Sequence, residues 1–258
     1  MTPGLEQVTF EQPLTERVRT FLRLEFLFAQ HSRHQASHDD FGIRSTLHAL
    51  LDILTVLSRS DLKNEILKEL TDRHAALTKL ASRPGVDQER LQLVLGEITA
   101  SVNDLQQLAT QFAASVLRDN DFLTSVLNRS SIPGGTCAFD LPVYHYWLSQ
   151  PYETVQRDLM AWFANIKPFE QAILLYLRLL RNSVEPQEVV AQGGIYMQSP
   201  QGPCSLLRVH VPGQAHVYPE ISAGKHRFTV RFMSARDVNS RSHQATQDVK
   251  FGIQCCNL

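Results

Sequence analysis

Lys225-His226-Arg227-Phe228-Thr229-Val230-Arg231-Phe232-Met233 divides into two faces when read with the period of a β-strand. His226, Phe228, Val230 and Phe232 point one way; Lys225, Arg227, Thr229 and Arg231 point the other. A half-buried strand needs one apolar face, and folding asks nothing of the opposite one. A row of fixed cations there has two readings. The planar guanidinium fork suits carboxylates, so the row can receive an acidic partner. Equally, it can be a solvated face on which Arg protects a sheet edge. Ser205-Leu206-Leu207-Arg208-Val209-His210-Val211 alternates too, setting Arg208 and His210 opposite Leu207, Val209 and Val211. If the two strands are antiparallel neighbours, their cations share a face.

Outward from these strands, the β-rich texture begins after Asn182, with further short runs at 194–198 and 249–255. Gln7-Val8-Thr9-Phe10 also has strand character and is able to return to this sheet. Residues 13–184 carry helix periods instead. Leu14, Val18, Phe21, Leu22 and Glu25 trace a first stripe; a polar, His-rich connection follows from His31 to Asp40. Ile43 to Leu57 form a second helix, and Ser60 or Asp61 can cap a third. Arg83-Pro84-Gly85-Val86 is a turn, after which Asp87 caps a fourth helix running to Leu108. A shorter helix lies around Phe122 to Leu127. Thr136 to Phe139 has the length of a short strand, Asp140 offers a cap, and Pro142 suits a first helical turn. The expected fold class is α+β: an N-terminal, mainly α-helical bundle (13–184), then a small, mainly antiparallel β-sheet domain (185–258) that residues 7–10 can join.

The net charge of −1 gives no strong global field towards nucleic acid or lipid. That average hides an asymmetry. Residues 205–250 hold seven cations and three acids, a net of +4, which leaves −5 for the rest. Met1 to Glu6 lack a cationic region leading into an apolar run, so no signal peptide is expected. No apolar stretch approaches the roughly 18 residues of a bilayer span. Cys137, Cys204, Cys255 and Cys256 lack Cys-x-x-Cys spacing and read as reduced thiols of a cytoplasmic protein.

No catalytic or metal site is expected. His31, His34 and His38 have ligand-like spacing, but nothing around them would orient imidazoles on a metal. Pro133-Gly134-Gly135-Thr136-Cys137 lacks the Gly-Lys-Ser/Thr ending of a phosphate loop. Cys137, Asp140 and His145 are near in sequence, which does not supply an oriented base. No cofactor motif occurs. A nucleic-acid-binding module is the alternative function, using the basic C-terminal sheet with Phe228 and Phe232 as stacking platforms. Alternation weakens it, because those rings lie on the face opposite Arg227 and Arg231.

Three segments, in this order and spacing, resemble the ZapD family of Z-ring-associated cell-division proteins. They are Phe10-Glu11-Gln12-Pro13-Leu14 running into Arg19-Thr20-Phe21-Leu22-Arg23-Leu24-Glu25-Phe26-Leu27; Ser131-Ile132-Pro133-Gly134-Gly135 with Phe139-Asp140-Leu141-Pro142 and His145-Tyr146-Trp147-Leu148; and Tyr218-Pro219-Glu220-Ile221-Ser222 with the 225–233 strand. The resemblance implies a non-enzymatic, cytoplasmic homodimer at the mid-cell division ring, with neither membrane nor nucleic acid as a partner. It implies binding to the C-terminal tail of FtsZ, the tubulin-like division GTPase, and bundling of FtsZ filaments. The family's basic pocket corresponds to Arg227 and Arg231, with Arg59 as a third arginine; Lys225 and Arg208 are the further cations expected beside them.

Overall fold

The computed structural model describes residues 7–35, 39–58, 61–109, 112–200, 202–224, 227–234 and 241–258. The chain is α+β, with helices in its N-terminal part and antiparallel sheets in its C-terminal part. Backbone contacts divide it into a helical unit, Thr20–Tyr176, and a β unit that combines the stretch up to Arg19 with Leu177–Leu258.

The helices are α1 (Glu16–Gln35), α2 (Asp40–Ser58), α3 (Leu62–Thr78), α4 (Gln88–Gln107), α5 (Phe112–Arg118), α6 (Asp121–Ser130), α7 (Pro142–Leu148), α8 (Tyr152–Ala164) and α9 (Lys167–Arg181). Phe21, Leu24 and Phe28 of α1 are buried, as are Leu47, Leu50 and Leu54 of α2. Among the described residues, α2 alone is long and apolar enough to cross a bilayer by length and composition, which corrects the expectation of no such stretch. Ten of its residues are buried, the pattern of a core helix. An aromatic cluster joins Phe122 of α6 to Tyr144 and Trp147 of α7 and Trp162 of α8, with ring centroids 5.2–6.0 Å apart.

Several local expectations meet their geometry. The Asp87 carboxylate accepts the Arg90 N–H at 3.0 Å at the start of α4, and Pro142 sits in the first turn of α7. Others are corrected. Asp61 precedes α3, but its carboxylate takes the Asn64 amide at 2.8 Å and leaves the helix N–H groups alone. Thr136 to Phe139 is a series of turns, not a strand, begun by Gly134 at φ 72° and the Cys137 N–H donating to the Gly134 carbonyl at 3.0 Å. Leu141, not Asp140, is the cap residue of α7; Asp140 faces Arg129 at 3.8 Å and the Cys137 thiol at 3.5 Å. The expected connection from His31 to Asp40 is shortened, because α1 continues through His31 to Gln35.

The β unit holds two antiparallel sheets. The first contains β1 (Val8–Pro13), β2 (Gln187–Ala191), β4 (Leu206–Val211) and β7 (Val249–Cys256), in the order β1-β4-β7-β2. The second contains β3 (Ile195–Gln198), β5 (Val217–Ala223) and β6 (Phe228–Ser234), in the order β3-β6-β5. Their inner faces share one core. Leu207 and Val209 of β4 and Phe251 and Ile253 of β7 meet Phe228, Val230 and Phe232 of β6. The Phe232 and Phe251 rings stand 4.9 Å apart, edge to face. This is a small sandwich. The turn from β2 to β3 requires Gly194, whose φ is 76° and where a Cβ would come 2.3 Å from the Ala245 carbonyl oxygen.

Candidate functional site

The outer face of the second sheet is built by β6. Phe228, Val230 and Phe232 are 2%, 0% and 0% exposed, so the residues between them must turn outward. Arg231 is exposed at mid-strand and Arg227 is exposed just before Phe228. At about 3.3 Å per residue, they lie about 13 Å apart along the strand.

Antiparallel register names the neighbours on that face, because directly paired residues point the same way. Arg231 pairs with Ile195 of β3 on one side and Glu220 of β5 on the other. Thr229 pairs with Met197 and Ser222, and Met233 pairs with Tyr218. Met197 is 59% exposed. The face therefore mixes cations, the Glu220 carboxylate, hydroxyls and apolar side chains. Among the described residues, neither Arg227 nor Arg231 forms a side-chain hydrogen bond or an ion pair.

Arg208 is placed differently. β4 and β6 belong to separate sheets, so the expectation that their cations share a face is corrected. Arg208 lies opposite Glu11 of β1 and Gln254 of β7. Its Nε donates to Glu11 Oε1 and a terminal nitrogen donates to Gln254 Oε1, both at 2.8 Å. Arg181 adds two bonds to the Glu11 carboxylate, at 2.8 and 2.7 Å. Burial pushes the Glu11 pKa up, but hydrogen bonds and charge from Arg181 and Arg208 outweigh it and hold the carboxyl below its ordinary value. Next along β4, His210 is buried and its ring nitrogens meet Thr9 at 2.9 Å and Gln254 at 2.8 Å. Alternation alone could not separate this enclosed network from an open cationic row. Arg59 and Lys225 lie outside the described residues.

Two other expectations change. Cys204 and Cys255 are joined by a disulfide, with Cα atoms 5.3 Å apart, where the sequence suggested reduced thiols. The antiparallel ladder explains their approach: Leu207 is the register partner of Cys255, and Cys204 lies three residues before it. His31 is 1% exposed, stacks on Phe163 with centroids 3.9 Å apart, and has no hydrogen-bond partner on either ring nitrogen. Burial pushes its pKa down to about 4. Among the described residues, no group of three or more His, Cys, Asp or Glu side chains could hold a metal.

A family model for ZapD, a cell division protein, matches residues 22–231. The chain belongs to the ZapD family. The match spans most of the chain and includes Arg227 and, at its end, Arg231. A member of this family is a cell division protein, and the outer face of the second sheet is its candidate docking site.

Proposed function

We propose that this ZapD-family protein is a non-enzymatic factor of the mid-cell division ring, acting in the cytoplasm. It binds the C-terminal tail of FtsZ on the outer face of β6 and, as a homodimer, cross-links and bundles FtsZ filaments. One observation carries the reading: Arg231 is exposed on β6, Arg227 is exposed just before that strand, and both are free of ion pairs among the described residues, near the exposed Met197. Arg208 is already committed to Glu11 and Gln254, so it falls outside the proposed contact. Arg59 and Lys225 stay in the proposal on the family resemblance alone.

The physics is that of a mobile acidic peptide on a cationic, partly apolar sheet. The two arginines stand too far apart for one carboxylate, so they take two acidic groups, or one acid and a terminal carboxylate. A charge-assisted hydrogen bond from Arg contributes about 1.5–3 kcal/mol, less where solvent and salt reach it. A single site is therefore weak. Two sites on a dimer meeting many tails on a filament gain avidity without any new contact. A monomer would decorate filaments without bundling them.

The nucleic-acid alternative loses support, because Phe228 and Phe232 are buried and cannot stack on bases. Co-sedimentation with full-length FtsZ and with FtsZ lacking its tail tests the proposal. Pelleting and bundling that require the tail are expected; equal pelleting with both forms would place the contact elsewhere.

A further inference from the structure

β3 is an edge strand. It pairs with β6 on one side, and among the described residues no other strand pairs with it on the other. The Phe232 N–H donates to the Gly194 carbonyl at 2.8 Å, in the register that continues through Ile195–Arg231 and Met197–Thr229. Along an antiparallel strand the backbone groups of successive residues point to alternate sides. Tyr196 and Gln198 therefore turn their N–H and C=O towards β6, while Ile195 and Met197 turn theirs away. Ile195 uses its N–H on the Gln192 carbonyl at 3.1 Å, in the turn that opens the strand. The outward set is the Ile195 C=O and both the N–H and the C=O of Met197.

The other three edges are blunted against pairing with an acidic chain. β1 ends in Pro13, β2 carries Glu188, and β5 carries Pro219 and Glu220. The Gly224 N–H donates to the Arg227 carbonyl, and the same alternation along β5 turns Pro219 outward, where it has no N–H to offer. β3, Ile195-Tyr196-Met197-Gln198, has neither a charge nor a proline.

We infer that the acidic peptide docks by adding an extended strand to the free edge of β3, its main chain bonded to Ile195 and Met197. The inference rests on the docking reading above and deepens it. Paired residues point the same way, so Ile195 and Met197 present their side chains on the face of Arg231 and Thr229. An added strand lies about 4.8 Å beyond β3 and about 9.6 Å from β6. A carboxylate side chain on it and the Arg231 side chain together cross that distance over Ile195. Two residues further along, the peptide sets a side chain beside Met197, which is 59% exposed. Main-chain bonds supply affinity; the alternate side chains, one acidic and one apolar, supply selection.

A fluorescent peptide carrying the FtsZ C-terminal tail tests this by anisotropy with the full-length chain, as the parent and as Met197→Pro, Met197→Ala and Arg231→Ala, with thermal melts alongside. A matching series of peptides carries one N-methyl group each, stepped along the tail. In either strand direction, two peptide N–H groups two residues apart donate to the Ile195 and Met197 carbonyls. Methylating either is expected to weaken binding about three- to tenfold, as loss of one backbone hydrogen bond does, and methylating the residue between them to leave it unchanged. Met197→Pro deletes an N–H that the β3–β6 ladder does not use. Its melt is expected to match the parent's, and its affinity to fall about threefold or more below that of Met197→Ala. Normal affinity in Arg231→Ala would remove the docking reading itself. A weakened Arg231→Ala with uniform tolerance of N-methylation would overturn strand addition and leave docking through side chains alone. If Met197→Pro does not fold, the N-methyl series decides.

Discussion

His31 places a titratable ring where nothing answers it. Both nitrogens lack partners, the ring stacks on Phe163, and the neutral form is enforced down to about pH 4. The unfolded chain takes up its proton near the ordinary value of about 6.5. Because the folded pKa is depressed, the neutral ring's contribution is fully present above pH 6.5 and is lost as pH falls towards 4. Melts between pH 7.5 and 4.5 should show a loss of about 2–3 kcal/mol attributable to this site. His31→Phe should keep the stack, remove the unpaired nitrogens and flatten that part of the profile. An equally steep profile in the variant would assign the acid sensitivity to other groups. Glu11 has the opposite environment, a carboxylate gripped by two guanidinium groups. It is stabilising as the anion above its ordinary range, and that stability is lost as pH falls through its depressed pKa. The two losses therefore fall in successive windows: His31 weakens the helical unit in mild acid, and Glu11 weakens the β unit only at lower pH, beneath the ordinary carboxylate range.

At the scale of elements, the proposed docking would make β6 separate stability from binding. Phe228→Ala removes a buried ring from the sandwich core and should cost about 3–5 kcal/mol in chemical denaturation. Arg231→Ala should leave the midpoint within about 0.5 kcal/mol, since an exposed unpaired side chain contributes little to folding. A large loss of stability in Arg231→Ala would contradict the face assignment. The cross-strand neighbour sharpens this. Glu220 sits directly opposite Arg231 and offers it a competing negative charge. Glu220→Gln should therefore tighten binding of the acidic tail about two- to fivefold at low salt, an effect that fades as salt is raised. Unchanged affinity at low salt would mean that Arg231 does not meet the ligand's charge. Helix ends show a parallel economy: Asn120 accepts the Leu123 N–H at 3.0 Å and starts α6, a cap that the sequence reading passed over.

For the whole molecule, the α+β order was legible because period 3.6 gives way to period 2 after Asn182, and that signal is local. The inward set Phe228, Val230 and Phe232 was legible for the same reason. Strand pairing was not, since it joins residues as distant as Val8 and Val211, or Val189 and Phe251, with no local trace. The role of Arg208 was hidden with it. Its partner Glu11 is 197 residues away, so an arginine engaged in a closed network looked like one awaiting a ligand. The Cys204–Cys255 approach depends on the same ladder. α5 was missed because its seven residues carry too little amphipathic pattern to register. Deleting residues from Val249 onward should unfold the β unit, because β7 lies between β4 and β2 and supplies Phe251 and Ile253 to the core. Loss of tail binding and of the β signal in circular dichroism is expected; retained binding would show that β6 needs only its own sheet.

The central place of β7 also sets a timetable. The helical unit is encoded in one run and can fold as that run leaves the ribosome. The first sheet cannot, for its edge strand β1 must wait for the inner strands β4 and β7, encoded far along the chain. Closing contacts of such long separation is slow. Until Val249–Cys256 is free, the core beneath Arg227 and Arg231 has no floor. On the docking reading proposed above, a nascent chain would gain its grip on a partner only after β7 has emerged and paired.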